Sequence, residues 1–244
     1  MTVSVTLNIA RSGRVVKRVS EKTMIVFLPY RWYNTKNALP RTLRAELPKA
    51  GKEIAMPIEI KPLTPDLAET FAELLGGVDF SATPHWSSCF CRSYYLDCPM
   101  EEWMARSAAQ NRAESFQEIQ SGKMTGYLAF ENGECVGWCS ANDAKEFRRI
   151  YSDIQPYCGD KKVGCTICYV VRTDMRQKGV ARALLKQAVS DFAANGYDAM
   201  IALPFDSKDT PQKRYRGTLQ MYLDAGYREI ASEGTVHVLW LDLR

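Results

Sequence analysis

The residues best placed to do chemistry lie in one continuous stretch, Val170-Val-Arg-Thr-Asp-Met-Arg176-Gln-Lys-Gly179-Val-Ala181-Arg-Ala-Leu-Leu. It follows a run of nearly unbroken apolar residues, Cys165 to Val171, the pattern of a strand covered on both faces. Gly179 stands where the loop turns into a helix, so the backbone there can approach a ligand closely. The first N–H groups of a helix have no partner within it, and the macrodipole adds partial positive charge at the same end. Arg176, Lys178 and Arg182 add formal charge around that point. The chemistry this predicts is a cradle for a diphosphate at the mouth of a parallel βα unit. The plain alternative is a solvated βα turn, since one glycine among basic residues has low specificity by itself.

The elements that must position this stretch are legible from Met56 onward. Ile58 and Ile60 alternate as a short strand, and Pro65 opens a helix running to Leu75 before Gly76-Gly77. A Trp/Cys/Tyr-rich stretch, Trp86 to Tyr95, precedes a predicted helix over Glu101 to Ile119. Gly126 to Phe130 and Cys135 to Ser140 read as strands around an Asn132-Gly133 turn. A long polar connection spans about Asn142 to Lys162. Beyond the central strand come a helix from Gly179 to Asn195, a strand from Ala199 to Leu203, a helix over about Gln212 to Ala225, and strands near Arg228 to Ile230 and Val236 to Leu241. In the first of these helices Ala181, Leu184, Leu185, Ala188, Val189 and Phe192 form the buried stripe, and Gly196 ends it. Strands alternating with helices predict an α/β layered architecture.

Arg176-x-x-Gly179-x-Ala181 after an apolar strand resembles the acetyl-CoA loop of the GNAT superfamily of N-acetyltransferases, Q/R-x-x-G-x-G/A. About 40 residues on, Met221-Tyr222-Leu-Asp-Ala-Gly226-Tyr227 is similar to that family's closing pattern, with Tyr227 in place of the usual Phe. The resemblance covers roughly Pro57 to the C-terminus. It implies a mixed, twisted sheet of six to seven strands, flanked by helices on both faces, whose central strands splay to admit acetyl-CoA as cosubstrate. The pantetheine amides would pair with the backbone of Tyr169, Val170 and Val171. The diphosphate would lie beside Arg176 and take N–H groups from Gln177, Lys178, Gly179, Val180, Ala181 and Arg182. Tyr222 would be the catalytic acid.

The implied reaction moves an acetyl group directly to a primary amine of a small molecule or a protein. A lysine-like amine, of pKa about 10.4, costs about 4.6 kcal/mol to deprotonate at pH 7, so a base or water chain must take its proton. The leaving thiol, near 8.5, is a stronger acid than tyrosine, near 10, so full transfer from Tyr222 is uphill by about 2 kcal/mol. Tyr222 therefore assists mainly by hydrogen bonding. Tyr215, Leu219 and Tyr222 are spaced to share a helical face, so packing alone is the competing role for Tyr222. No base stands out among Asp143, Glu146, Asp206, Asp209, Glu131 and Glu134. The acceptor wall is expected from Trp86–Tyr95 and the 142–162 connection. A non-catalytic acyl-CoA-binding regulatory module is the alternative function: it would keep Gly179 and have no need of Tyr222.

Composition fits a folded, water-exposed domain: of 244 residues 46% are apolar and 25% charged. No apolar run nears the roughly 18 residues that cross a bilayer, and the early Met24–Leu28 run is too short for a signal peptide. Eight cysteines, several in strand-like stretches, suggest reduced thiols and a cytoplasmic location. With only His85 and His237, a multi-histidine metal site is excluded. Cys165-x-x-Cys168 and Cys89-x-Cys91 are enough thiols for a structural zinc. Strand alternation should send Cys165 and Cys168 to opposite faces, so no metal is expected.

Residues 1–55 form a basic extension of net charge +8, while the rest of the chain carries −4. Aromatic residues are not interleaved with those charges, so no specific nucleic-acid partner is expected. Two readings of this segment stay open. Lys52-Glu53 can be encoded by a purine-rich ribosome-binding sequence, with translation starting at Met56 and 1–55 being translated upstream DNA. Alternatively Val3, Val5, Leu7 and Ile9 alternate as a strand before a Ser12-Gly13 turn. The 56–244 domain would then carry all the chemistry, with an amine acceptor as partner, no membrane, and a homodimer left open.

Overall fold

A computed structural model describes residues 5–9, 15–19, 58–77, 84–205 and 215–244. The chain divides into Met1–Ile54 and Ala55–Arg244. In the first unit, strand β1 (Val5–Ile9) pairs antiparallel with β2 (Val15–Val19), with Val5 opposite Val19 and Ile9 opposite Val15. Val5, Leu7 and Ile9, expected to alternate along a strand, do lie on one; Val3 and the Ser12-Gly13 turn fall outside the described residues.

The second unit is a seven-stranded mixed sheet with helices on both faces. Its strands are β3 (Glu59–Pro62), β4 (Gly126–Glu131), β5 (Glu134–Asp143), β6 (Val163–Val171), β7 (Ala199–Ala202), β8 (Arg228–Glu233) and β9 (Val236–Asp242). They lie in the order β3-β4-β5-β6-β7-β9-β8, and β6–β7 is the parallel pair in it. The β4–β5 turn takes both Asn132 and Gly133 to positive φ, 53° and 83°, as a two-residue hairpin requires. Helices are α1 (Ala68–Gly77), α2 (Met100–Ala105), α3 (Ala108–Gln120), α4 (Arg148–Cys158), α5 (Val180–Ala194) and α6 (Leu219–Asp224). One core layer joins Phe71 of α1 and Ile154 of α4 to Leu128, Trp138 and Ile167. The other joins Leu184, Leu185 and Ala188 of α5, and Tyr222 of α6, to Ala129, Val136 and Leu239. Each large apolar side chain so buried, Leu184 and Leu185 among them, contributes about 1.5–3 kcal/mol, so α5 is held firmly against the sheet.

Four expectations need correction. The helix expected over 101–119 is two, α2 and α3, broken at Arg106. Its guanidinium turns back to Asn111 and Glu114, and Ser107 caps α3 by accepting from Gln110 N–H at 3.1 Å. The connection expected over 142–162 contains α4, whose Ile150, Ile154 and Cys158, four residues apart, are buried. The last helix is shorter than expected, starting at Leu219, while 206–214 lie outside the described residues. Finally, β6 carries a bulge: Ser140 opposes Cys168 and Ala141 opposes Thr166, leaving Ile167 extra. The extra residue resets the alternation. Cys165 and Cys168 consequently lie in the same core layer rather than on opposite faces.

Candidate active site

The parallel pairing of β6 and β7 runs from Val163–Ala199 to Thr166–Ala202 and stops. Past that rung the two chains follow different neighbours. The β7 chain stays with β9, where Phe205 bridges Val236 and the His237 N–H donates to Pro204 O at 3.0 Å. β6 stays with β5 as far as Gly137–Val171, and Arg172 N–H donates to Val136 O at 3.0 Å. From Ile167 to Val171 the β7-side edge of β6 therefore has no strand beside it. Backbone groups alternate along a ladder, so Arg172 and Val170 face β5 while Tyr169 and Val171 face the opening. Of the three residues expected to offer backbone groups to pantetheine, Tyr169 and Val171 face the opening, while those of Val170 are spent on β5.

The strand leads through a one-turn 3-10 helix, anchored by buried Met175, into the Arg176–Gly179 loop. Gln177 and Gly179 both have left-handed backbones, φ 63° and 86°, and Gly179 is the N-cap of α5 with no side-chain cap. Ala183 N–H closes the first turn on Gly179 O at 3.0 Å. The amides from Gln177 to Arg182 donate to no described residue. A Cβ on Gly179 would meet nothing within 4 Å. The positive φ makes glycine the favoured residue here, and the corner itself is open. The approach of α5 depends instead on Gly137: a Cβ there would lie 2.7 Å from Val180 Cγ1, inside van der Waals contact.

Of the three cations expected around these amides, Arg176 and Lys178 are exposed and have no ion-pair partner among the described residues. Arg176 Nε donates to Val171 O at 3.3 Å. Arg182 is paired with Asp224 of α6 at 2.6 Å, so its side-chain charge is already matched. Ala181 is half-buried on the first turn.

Tyr222 reaches the apex of the opening from the α6 side. It is fully buried; its hydroxyl donates to Arg216 O at 3.0 Å and lies 3.3 Å from Thr166 Oγ1, on the last paired rung. Burial pushes this hydroxyl far above the ordinary tyrosine range. Tyr169 packs edge-on to it, ring centroids 6.4 Å apart, and the buried Tyr169 hydroxyl has no hydrogen-bond partner among the described residues. Tyr215 is not on the Tyr222 face: it precedes the helix and packs on Trp86 at 4.9 Å.

The 84–95 stretch borders the other face as two 3-10 turns, Pro84–Ser88 and Arg92–Tyr94. Tyr94 accepts from Arg216 Nε at 3.0 Å. Arg216 and Thr166 were missed in the sequence: both owe their place to where β6 and β7 part, which no local spacing records. Phe147 and Tyr95, expected in the acceptor wall, are core residues whose tilted rings pack with centroids 5.2 Å apart. Among the carboxylates considered as bases, Asp143 accepts from Lys145 N–H and Glu134 pairs with Arg172 at 2.8 Å. Asp206 and Asp209 lie outside the described residues. Cys91 accepts from Trp138 Nε1 at 3.0 Å, and burial pushes the Cys89 thiol up to about 12, which suits packed thiols rather than nucleophiles. Among the described residues no group of three or more His, Cys, Asp or Glu could hold a metal, and no helix is long and apolar enough to cross a membrane.

The chain is similar to three solved structures at low identity. They are an N-acetyltransferase from Staphylococcus aureus (14% identity, 77% of this chain and 99% of that chain, TM-score 0.48); yncA from Salmonella typhimurium with its cofactor acetyl-CoA (13%, 77% and 94%, 0.46); and PaiA N-acetyltransferase from Thermoplasma acidophilum in complex with coenzyme A (14%, 77% and 99%, 0.45). No curated protein matches the sequence. The profile of the acetyltransferase (GNAT) family matches residues 86–215, just over half of the chain. The chain belongs to the GNAT family of acetyltransferases.

Proposed function

We propose that residues 56–244 bind acetyl-CoA along the free edge of β6 and transfer its acetyl group to a primary amine in the cytoplasm. The observation that carries this reading is the Tyr222 hydroxyl 3.3 Å from Thr166 Oγ1, at the rung where β6 and β7 part. A thioester entering that opening meets a hydroxyl donor at its inner end. Tyr169 and Val171 supply backbone groups to an amide-bearing arm, and the Gln177–Arg182 amides, with Arg176 and Lys178, supply an anion site for a diphosphate.

The balance of the step is simple. The neutral amine attacks the thioester carbonyl, the C–N bond forms and the C–S bond breaks. One ammonium proton has passed to water to free the amine, and a second, lost from nitrogen as the amide forms, ends on the leaving sulfur, so the products are an amide and the CoA thiol. Because burial raises the Tyr222 pKa, full proton transfer to the thiolate is costlier than the roughly 2 kcal/mol separating ordinary tyrosine and thiol. Tyr222 therefore holds its proton and stabilises the leaving sulfur by a hydrogen bond, exchanging its bond to Arg216 O for one to sulfur. The test is an amine panel read by free CoA release. Turnover with saturable acetyl-CoA dependence is expected; tight acetyl-CoA binding without acetylation of any amine would favour a binding module instead.

A further inference from the structure

Among the described residues, the Arg216 side chain is a charged group at the opening that neither the cofactor contacts nor the leaving-group hydrogen bond uses. Its main chain and side chain face two parts of the same opening. The carbonyl accepts from the Tyr222 hydroxyl at 3.0 Å. The guanidinium reaches across to Tyr94 OH at 3.0 Å and to Leu203 O, one residue past the end of β7, at 3.5 Å. It lies against aromatic surface, 4.3 Å from the Phe205 ring centroid and 5.4 Å from that of Tyr94. Both oxygens it touches are neutral, and among the described residues it has no carboxylate partner. The more deeply buried Arg92 takes both Glu114 and Glu118, whereas the half-buried Arg149, like Arg216, meets neutral acceptors, Ser93 O and Cys98 Sγ. A guanidinium has five donors in a planar fork. With Nε and Nη1 engaged by single neutral acceptors, the Nη2 edge is left for a ligand.

We propose that Arg216 determines the acceptor class, so that the amine acetylated here carries a carboxylate. This inference rests on the transferase reading above. An amine brought to the thioester beside Tyr222 lies next to the guanidinium of the residue whose carbonyl holds that hydroxyl. A carboxylate on the same molecule can take the open edge of the fork, the pairing for which arginine is best shaped. Aromatic surface on two sides excludes water and strengthens the attraction. The same unmatched positive charge repels a second ammonium group, so simple diamines are poor acceptors.

The test uses the full chain, acetyl-CoA and matched pairs of amines, with free CoA release as the readout. Lysine is set against cadaverine and phenylalanine against phenethylamine. A C-terminally amidated peptide pair, Ala-Glu-Ala against Ala-Gln-Ala, tells a peptide side-chain carboxylate from that of a free amino acid. The carboxylate-bearing member of at least one pair should have the higher kcat/KM, by roughly 10- to 100-fold, the range of one charge-assisted hydrogen bond. Arg216→Gln should erase most of that ratio while moving the KM for acetyl-CoA less than about two-fold. Arg216→Lys, which keeps the charge and loses the fork, should retain part of it. Equal kcat/KM within every pair overturns the proposal. So does an Arg216→Gln protein that loses activity equally on both members of a pair, or that chiefly raises the KM for acetyl-CoA. Failure of the transferase reading looks different: acetyl-CoA binds by calorimetry and no amine releases CoA, and the acceptor assignment then falls with it.

Discussion

The two flanks of the β6–β7 opening are built in different ways. The flank at α5 is made of backbone: the free edge of β6 at Tyr169 and Val171, then the amides from Gln177 to Arg182, all within fourteen consecutive residues. The flank at Arg216 is made of side chains gathered from distant segments, Tyr94, Phe205 and Arg216, around the carbonyl of Leu203. A surface of amides and one glycine can be specified locally and suits a cosubstrate that does not vary. A surface of side chains from several loops can change one residue at a time, which suits an acceptor that does. The comparison predicts that substitutions on the first flank act on acetyl-CoA, and those on the second act on the amine.

The sharpest break should come at Gly179. Gly179→Glu places a carboxylate at the amide cradle, and like charges about 4 Å apart near a protein surface repel by about 4 kcal/mol, so acetyl-CoA affinity should fall at least ~100-fold. No protein atom lies within 4 Å of the added Cβ, so the melting temperature should drop only by the modest cost of a non-glycine residue at positive φ. Calorimetric titration beside a thermal melt separates the two effects. Tyr222→Phe should lower kcat by about 100-fold, the low end for losing one hydrogen-bond donor to a developing charge, with acetyl-CoA affinity nearly unchanged. A kcat equal to that of the parent would make Tyr222 a packing residue.

Smaller effects test the scaffold. Gly137→Ala forces the new methyl against Val180 Cγ1. It should cost about 1–3 kcal/mol in chemical denaturation by overpacking, and raise the KM for acetyl-CoA roughly ten-fold as the first turn of α5 is pushed off the sheet. The smallest expected change is at Asp224, whose carboxylate is held below its usual range by the hydrogen bond from Gln220 and by the exposed Arg182. Asp224→Ala frees that guanidinium for the diphosphate, and acetyl-CoA affinity should rise by about two- to three-fold at low salt, with the gain shrinking as salt is added.

How much of this was legible in the sequence follows the same division. The β6–loop–α5 unit was readable because its signals are local: an unbroken apolar run, a glycine at the helix start, and a stripe in which Leu184, Leu185, Ala188 and Phe192 are indeed buried. The Asn132-Gly133 hairpin was readable for the same reason. What could not be read depends on partners. The Ile167 bulge exists only in the pairing of β6 with β5 and reverses which cysteines share a face. The break at Arg106 depends on Asn111 and Glu114 accepting its guanidinium. α4 was hidden by its polar face and Pro156, although its buried Ile150, Ile154 and Cys158 carry a helical spacing. The guanidinium of Arg216 acquires meaning only once β7 has turned away toward β9.

Amide hydrogen exchange, recorded residue by residue with and without acetyl-CoA, bears most directly on the cosubstrate flank. Slowed exchange at Tyr169, Val171 and the amides from Gln177 to Arg182, with no comparable slowing at β8, is the expected result. Saturating acetyl-CoA that leaves those amides exchanging as before, or protects a different surface, would contradict it.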